Sequence, residues 1–344
     1  MRQKVYDLWV DISNTPQVHV VRSILSSFNG IKFFITSFDR GEVRQLIEVY
    51  GLKGRVFGSD NYNPSLKSIS FAFRTLRLFF MVPNARSLLS IENAMSLPAA
   101  KSRHIKSILV LDNDLKFDKK RPFFQKIESW IKDLADFVLV PKVAEGKFKK
   151  NLDNVICYPG YKEQIYIADF IPDLEFKKLL PFEEYVIIRP ESLSSLYVLH
   201  DKSIVPELAK LFCRENINIV YLPRNNLERQ LVKGFKNVYV SPKALDGLSL
   251  IYYSKAVLTG SGTMGREAAL MGLTAVSFFP GTRLLAVDKN LVEEGRLFHS
   301  RDPKEIVGFV TANWKRKSSL CSEIEKAKRV KEFIVKLIKK VIYS

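Results

Sequence analysis

Residues 255–279, KAVLTGSGTMGREAALMGLTAVSFF, hold the stretch of this chain whose residue types and spacing best suit chemistry. Ala256-Val257-Leu258 reads as a buried strand that runs into Gly260-Ser261-Gly262-Thr263. Two glycines free the backbone to turn sharply and let an oxygen-rich ligand approach with no Cβ in the way. A helix predicted to begin near Thr263 would present its first unpaired N–H groups and its dipole to that turn, which favours an anion such as phosphate. Ser261 and Thr263 add hydroxyls. Glu267 stands four residues after Thr263, on the same helical face, and a carboxylate there suits a two-point acceptor for sugar hydroxyls, ribose above all. The same pattern also fits a plain strand-to-helix turn, with Thr263 as N-cap and Glu267 in solvent.

Other strand ends carry further candidates. VDISNTPQVHVV places Ser13, Asn14 and Thr15 in the loop after the first strand, with Pro16 opening a helix and His19 in its first turn. His19 has the titration range of a general base, or it is a half-buried neighbour of an N-capping loop. Asp11, inside the strand, is either a carboxylate that fastens the loop or a catalytic one. Arg189-Pro190-Glu191-Ser192 ends the first strand of the second half. Arg189 there could clamp a diphosphate through two parallel hydrogen bonds, or form a surface salt bridge. Arg224 occupies an equivalent strand end. Glu92-Asn93 and Asp112-Asn113-Asp114 end strands of the first half and are further strand-end candidates. The Asp112/Asp114 pair raises the question of Mg2+, but a solvated acidic loop is the expectation, with no metal and no bound cofactor. The loop FPGTRLLAVDKN brings Asp288 into reach of a transferred sugar.

Several classes are excluded or weakened. No Gly-x-x-x-x-Gly-Lys-Ser/Thr occurs, so this is not a P-loop NTPase. Gly260, Gly262 and Gly265 satisfy a bare Gly-x-Gly-x-x-Gly, yet no acidic residue ends a strand about 20 residues on, which argues against NAD. The three cysteines, Cys157, Cys213 and Cys321, are far apart, and the four histidines lack metal-ligand spacing. No run of about 18 uncharged apolar residues is present, and the N-terminus lacks a signal-peptide pattern, so a cytoplasmic protein is expected. The net charge is +18 and is spread evenly: 26 basic against 17 acidic side chains in residues 1–170, and 28 against 19 in residues 171–344. Such a charge favours polyanions or an anionic membrane face. No nucleic-acid motif is present, so no nucleic-acid partner is expected.

These residues need elements to hold them. Short apolar, β-branched runs alternate with helical patterns: strands at 6–12, 32–36, 88–92, 107–112 and 137–141, then at 185–190, 217–223, 238–241, 256–260 and 274–279. Residues 155–159 read as a further strand or the start of a linker. The alternation predicts an α/β protein with two tandem Rossmann-like domains built on parallel sheets covered by helices. The expected division is 1–160 (acceptor side), a linker at 161–183, 184–318 (nucleotide side) and a C-terminal helix at 319–344. That helix carries an apolar stripe of Val330, Ile334, Leu337, Ile338 and Val341, which either packs on the N-terminal domain or lies on anionic lipid. The segment 65–87, with Phe71, Phe73, Leu76, Leu78, Phe79, Phe80 and Met81 among Lys67, Arg74, Arg77 and Arg86, is either a core helix or a membrane-dipping element.

The tandem plan and the Gly260–Glu267 turn resemble glycosyltransferases of the GT-B type, including the enzyme that adds N-acetylglucosamine to lipid I, and the related UDP-N-acetylglucosamine 2-epimerases. VDISNTPQVH, GYKEQIYIADFIPD, IIRPES, GSGTMGREAALMG and LAVDKNLVEEG are also similar to blocks of a largely archaeal GT-B-like family, domain of unknown function 354. That resemblance covers nearly the whole chain. It implies a ligand cleft between the domains and a last helix that crosses back. It also implies a UDP-sugar as substrate, with Ser261, Gly262 and Thr263 on the diphosphate and Glu267 on ribose. Arg189, Glu191, Gly260 and Asp288 are expected beside them. On the acceptor side the expected residues are Asn14, Thr15, Glu92, Asn93 and Asp112, with His19 or Asp11 as base. The acceptor is expected to be lipid-linked or otherwise, at the inner membrane face. An epimerase or a purely binding protein is the alternative, and the oligomeric state stays open.

Overall fold

The computed structural model describes residues 5–40, 43–59, 64–117, 123–191, 203–315 and 320–343, with no side-chain detail for residues 64–69, 71 and 123–125. Ser192, Lys67 and Phe71 of the motifs above therefore lie outside the described side chains. The chain divides into two compact units, one formed by Met1–Tyr166 with Lys328–Ser344, the other by Ile167–Ala327.

Among the described residues, unit 1 is built on strands β1 (Tyr6–Ile12), β2 (Phe33–Asp39), β3 (Gly54–Ser59), β4 (Ala85–Ile91), β5 (Lys106–Val110), β6 (Phe137–Pro141) and β7 (Val155–Tyr158). They pair in parallel in the order β3-β2-β1-β4-β5-β6-β7. A parallel sheet is covered on both faces, and β1 shows the consequence: Leu8, Trp9, Val10 and Ile12 are all fully buried. Each such side chain taken from water contributes roughly 1.5–3 kcal/mol before the entropy of ordering it. The polar residue in that strand, Asp11, is equally buried and is paired.

Unit 2 repeats the plan with β8 (Val186–Arg189), β9 (Ile219–Tyr221), β10 (Val238–Tyr239), β11 (Ala256–Thr259), β12 (Thr274–Ser277) and β13 (Phe298–His299), in the order β10-β9-β8-β11-β12-β13. Val186, Ile188, Tyr221, Leu258 and Val276 of these strands pack with Leu208 and Phe212 of the Val205–Arg214 helix and Ile306 of the Pro303–Ala312 helix. Of residues 155–159, left open between strand and linker, Val155–Tyr158 form β7.

Both sheets have one place where the strand order reverses, between β1 and β4 in unit 1 and between β8 and β11 in unit 2. Loops leaving the carboxyl ends of the strands on either side of such a point diverge and leave a crevice there, which is where open α/β sheets bind ligands.

The final helix, Leu320–Tyr343, starts in unit 2 and ends in unit 1. Val330, Ile334, Ile338 and Val341 are buried, and Lys339 lies over the Phe28 ring, 5.4 Å from its centroid. The apolar stripe is thus spent on the protein interior. The Pro64–Met81 helix behaves differently: Arg74 and Leu78 point inward, while Phe73, Leu76, Phe80 and Met81 are exposed. No helix among the described residues is long and apolar enough to cross a membrane.

Candidate functional site

In unit 2 the turn after β11 sits at the reversal point. The helix it feeds spans Gly262–Leu270, one residue earlier than Thr263, with Ser261 as N-cap in extended conformation. The turn is tied from behind. The Gly260 N–H donates to the Arg189 carbonyl (2.9 Å), the Ser261 N–H donates to Thr259 Oγ1 (2.9 Å), and that hydroxyl donates to the Ser261 carbonyl (2.8 Å). The Ser261 side chain makes no capping bond to the helix, so the first-turn N–H groups are not closed off from within. A Cβ at 260 would come within 2.6 Å of the Glu191 backbone nitrogen and Cα, so only glycine lets the β8 and β11 loops touch.

Two arginines and their carboxylates complete this end. Arg266 is buried, and its guanidinium lies where a Cβ at Gly262 would meet it, at the base of the turn. Asp288 pairs with Arg266 at 2.9 Å, both side chains largely buried. Glu191, expected among the nucleotide contacts, is buried and fully engaged. It accepts from Ser203 Oγ (2.5 Å), from the Ile204 N–H (3.2 Å) and from Arg301 (3.4 Å). Arg301 also donates to the Phe278 carbonyl (2.7 Å), which ties the β8 loop to the end of β12. Arg189 is half-buried at the end of β8, beside Thr259 in register, and reaches the Leu222 carbonyl at 3.5 Å. Arg224 is held by Glu228 and the Pro190 carbonyl. Thr263 and Glu267 are half-buried on the first turns of the helix.

In unit 1 the β1 and β4 loops meet through Asp11. Its carboxylate accepts two bonds from Arg74 (2.6 and 3.1 Å), one from Asn93 Nδ2 (2.6 Å) and one from Thr36 Oγ1 (2.5 Å). Arg74 and Asp11 have no exposed side-chain surface. These bonds fasten the β1 and β4 ends to each other. Asn93 is likewise occupied, with Oδ1 accepting from the Met95 N–H (3.1 Å). The loop after β1 is closed by Gln17, whose Oε1 accepts from the Ser13 and Asn14 N–H groups (2.6 and 3.2 Å), and Asn14 caps the Thr15–Leu25 helix. His19 is half-buried on that helix, with Nδ1 3.1 Å from the Tyr50 hydroxyl and its ring against Tyr166.

A second cluster of buried charged groups in unit 1 lies at the ends of β4 and β5. Glu92 follows β4 with φ of 52°, a left-handed backbone that costs a non-glycine residue about 1–3 kcal/mol and collects at functional sites. Its Oε1 accepts from the Asp112 and Asn113 N–H groups. Burial and the neighbouring Asp112 charge push the Glu92 carboxyl above the usual range, against the opposing pull of Lys162, Lys132 and Lys116. Asp112 pairs with Lys162 at 2.7 Å, both almost fully buried. Asp112 and Asp114 are therefore interior residues, not the solvated loop their sequence suggested. The reason is a set of lysines from elsewhere: Lys162, and Lys147 at 3.8 Å from Asp114. Nearby, burial would raise the Glu128 carboxyl, but Lys132 and Lys116 bring it down to about 2. Burial and then the Lys116 charge lower Lys132. Among the described residues no three His, Cys, Asp or Glu side chains converge to hold a metal ion.

Arg266, Arg301, Arg74 and Lys162 were not singled out as site residues from the sequence. Arg266 and Lys162 do lie within the GSGTMGREAALMG and GYKEQIYIADFIPD blocks. Arg301 follows a two-residue strand too short to see as a pattern.

The model for the proteins of unknown function DUF354 matches residues 6–340. The chain belongs to that family. An uncharacterized protein of Methanocaldococcus jannaschii is 30% identical over 321 residues, covering 89% of this chain and 91% of its own. Among solved structures, the UDP-N-acetylglucosamine 2-epimerase of Rickettsia bellii superposes with TM-score 0.69 at 16% identity, over 99% of this chain and 97% of that one. The M. jannaschii UDP-GlcNAc 2-epimerase gives 0.68 at 14%, over 97% and 99%. The glycosyltransferase of kitacinnamycin gives 0.58 at 13%, over 99% and 100%. These likenesses establish the fold of this family member, two tandem Rossmann-like units of the GT-B type.

Proposed function

We propose that this protein binds a UDP-sugar and transfers the sugar to an acceptor hydroxyl, lipid-linked or otherwise. The observation that carries the reading is the glycine turn at the β8/β11 reversal, uncapped at its helix N-terminus and backed by the buried Arg266 guanidinium. N–H groups of Gly262, Thr263 and Met264 would hold the diphosphate, with Ser261 and Thr263 hydroxyls beside them and Glu267 on the ribose. Arg189, at the end of β8, is the cation proposed near the leaving group. Glu191, Asp288 and Arg301 hold the loops that shape the site. Structures with this fold support the ligand class: the meningococcal epimerase is bound to UDP-GlcNAc, and the M. jannaschii epimerase is in complex with UDP-GlcNAc and UDP.

Glu92 of unit 1 is the carboxylate put forward as a proton acceptor: burial and the Asp112 charge raise it, and its Oε1 accepts from the Asp112 and Asn113 N–H groups. In the transfer the acceptor oxygen bonds to the anomeric carbon as its proton passes to a general base. The bond from that carbon to the diphosphate oxygen breaks, and the electron pair leaves with the diphosphate. The helix N-terminus and Arg266 stabilise the charge that develops there. Asn14, Thr15, Asn93 and Asp112 frame the acceptor side.

A second reading, epimerisation of the sugar while it stays on the nucleotide, is favoured by the Glu92/Asp112/Lys162 group. Two neighbouring carboxylates, with the Lys162 amine 2.7 Å from Asp112, offer both a proton acceptor and a proton donor. The test is incubation with UDP-N-acetylglucosamine and related donors, with and without membrane lipid extract, following free UDP and the identity of the sugar. Lipid-dependent UDP release supports transfer, and an altered sugar still on UDP supports epimerisation. If no nucleotide sugar shifts the melting temperature, both readings fail.

A further inference from the structure

The Pro64–Met81 helix leaves an apolar face outward, and its register is set by the buried pair that roots it. Arg74 reaches Asp11 at 2.6 Å and donates from Nε to the Phe57 carbonyl at 2.9 Å, with Leu78 and Val82 below it on the same side. At 100° per residue, Phe73, Leu76 and Phe80 then fall on the opposite side, and they are 61%, 55% and 76% exposed. Phe79, 41% exposed, flanks them, while Met81, 53% exposed, ends the helix on the Arg74 side. Four large apolar side chains exposed on one helix face make a patch of the kind that marks an interaction site rather than the scattered apolar residues of an ordinary surface.

Charge identifies the occupant. Exposed Arg77 and Arg86 border the patch, Arg55 is exposed on β3, and no Asp or Glu occurs between Asp60 and Glu92. A second copy of the chain would bring the same arginines against them, offset in part by Asp7 at 3.9 Å from Arg86, under a net charge of +18 on each molecule. An anionic bilayer complements both features: phenylalanines and leucine enter the headgroup–acyl boundary while arginines meet lipid phosphates. The final helix offers no such face, because its stripe is buried.

We propose that the outer face of the Pro64–Met81 helix docks this protein on anionic lipid bilayers, with Phe73, Leu76 and Phe80 inserted and Arg77 and Arg86 on the phosphates. This surface stands apart from the sugar chemistry and does not depend on it. It also gives a lipid-linked acceptor a place to be met.

The test is flotation of the full chain with vesicles of phosphatidylcholine alone and of phosphatidylcholine with phosphatidylglycerol, without nucleotide, at about 0.1 M salt and again at about 0.5 M. The expected result is binding to the anionic vesicles only, weakened by salt. Leu76→Ser/Phe80→Ser is expected to weaken it by about tenfold or more, whereas Leu227→Ser, at an 83% exposed apolar residue of unit 2, leaves it unchanged. Both altered side chains face solvent, so the fold is retained. Arg77→Glu/Arg86→Glu gives a second arm that keeps the apolar face and is expected to abolish the preference for anionic lipid. Absence of flotation with phosphatidylglycerol, or equal flotation of both double variants, overturns the proposal. A dimer in light scattering that Leu76→Ser/Phe80→Ser dissociates also overturns it, in favour of a second copy. UDP binding, measured separately, reports on the proposed function alone.

Discussion

Replacing Arg74 by Met tests how unit 1 holds its reversal-point loops together. The guanidinium is lost while a side chain of similar reach remains, so little cavity is made. What is left is a carboxylate at Asp11, fully buried, still bonded to Thr36 and Asn93 but with its positive partner gone. Breaking a buried pair from one side costs about 3–5 kcal/mol. For a unit of this size that corresponds to a fall in melting temperature of roughly 6–20 °C, at about 2–4 °C per kcal/mol. Asp11→Asn/Arg74→Met, with no charge left to strand, is expected to recover a substantial part of the loss. A loss below about 1 kcal/mol, or a double variant no better than the single one, would refute the reasoning.

Three further outcomes follow from the geometry. Gly260→Ala puts a methyl group 2.6 Å from the Glu191 backbone, so a thermal melt should show a loss of about 1–3 kcal/mol together with weakened UDP binding. Glu92→Gln keeps an oxygen for the Asp112 and Asn113 N–H groups but cannot take a proton, so turnover should fall by about 10²–10⁴-fold with the fold intact. Because the folded Glu92 pKa is raised, wild-type stability from this residue is present below the unfolded value of 4.5 and lost as pH rises through the folded one, and Glu92→Gln should flatten that slope in a pH series of melts. Glu128 runs the other way: its contribution is present above pH 4.5 and lost as pH falls toward about 2, and Lys116→Met should reduce the loss seen on acid titration.

Much of this architecture can be read in the chain because its strands are short, buried and β-branched, so YDLWVDI, FVLVP and AVLT stand out against the helices between them. β3 does not, since GRVFGS carries two glycines and sits at a sheet edge, and β13 is two residues long. The glycine turn was legible because it is local: glycine spacing, the following hydroxyls and Glu267 all lie within eight residues. The partners of the site carboxylates were not, because Arg74 meets Asp11 across 63 positions, Arg301 meets Glu191 across 110, and Lys162 comes from a segment that reads as a linker. The outward face of the Pro64–Met81 helix was undecided for the same reason. Its sequence is apolar on more than one side, and only the distant Asp11 chooses which side turns in.

The most direct measurement is calorimetric titration of UDP and UDP-N-acetylglucosamine into the wild-type protein and into Glu267→Ala. The account predicts saturable binding of UDP by the wild type, and an affinity lower by about tenfold, roughly 1.4 kcal/mol, once the ribose acceptor is removed. Wild-type protein that takes up neither ligand, or Glu267→Ala that binds UDP as tightly as wild type, would contradict the assignment of the Gly260–Glu267 turn.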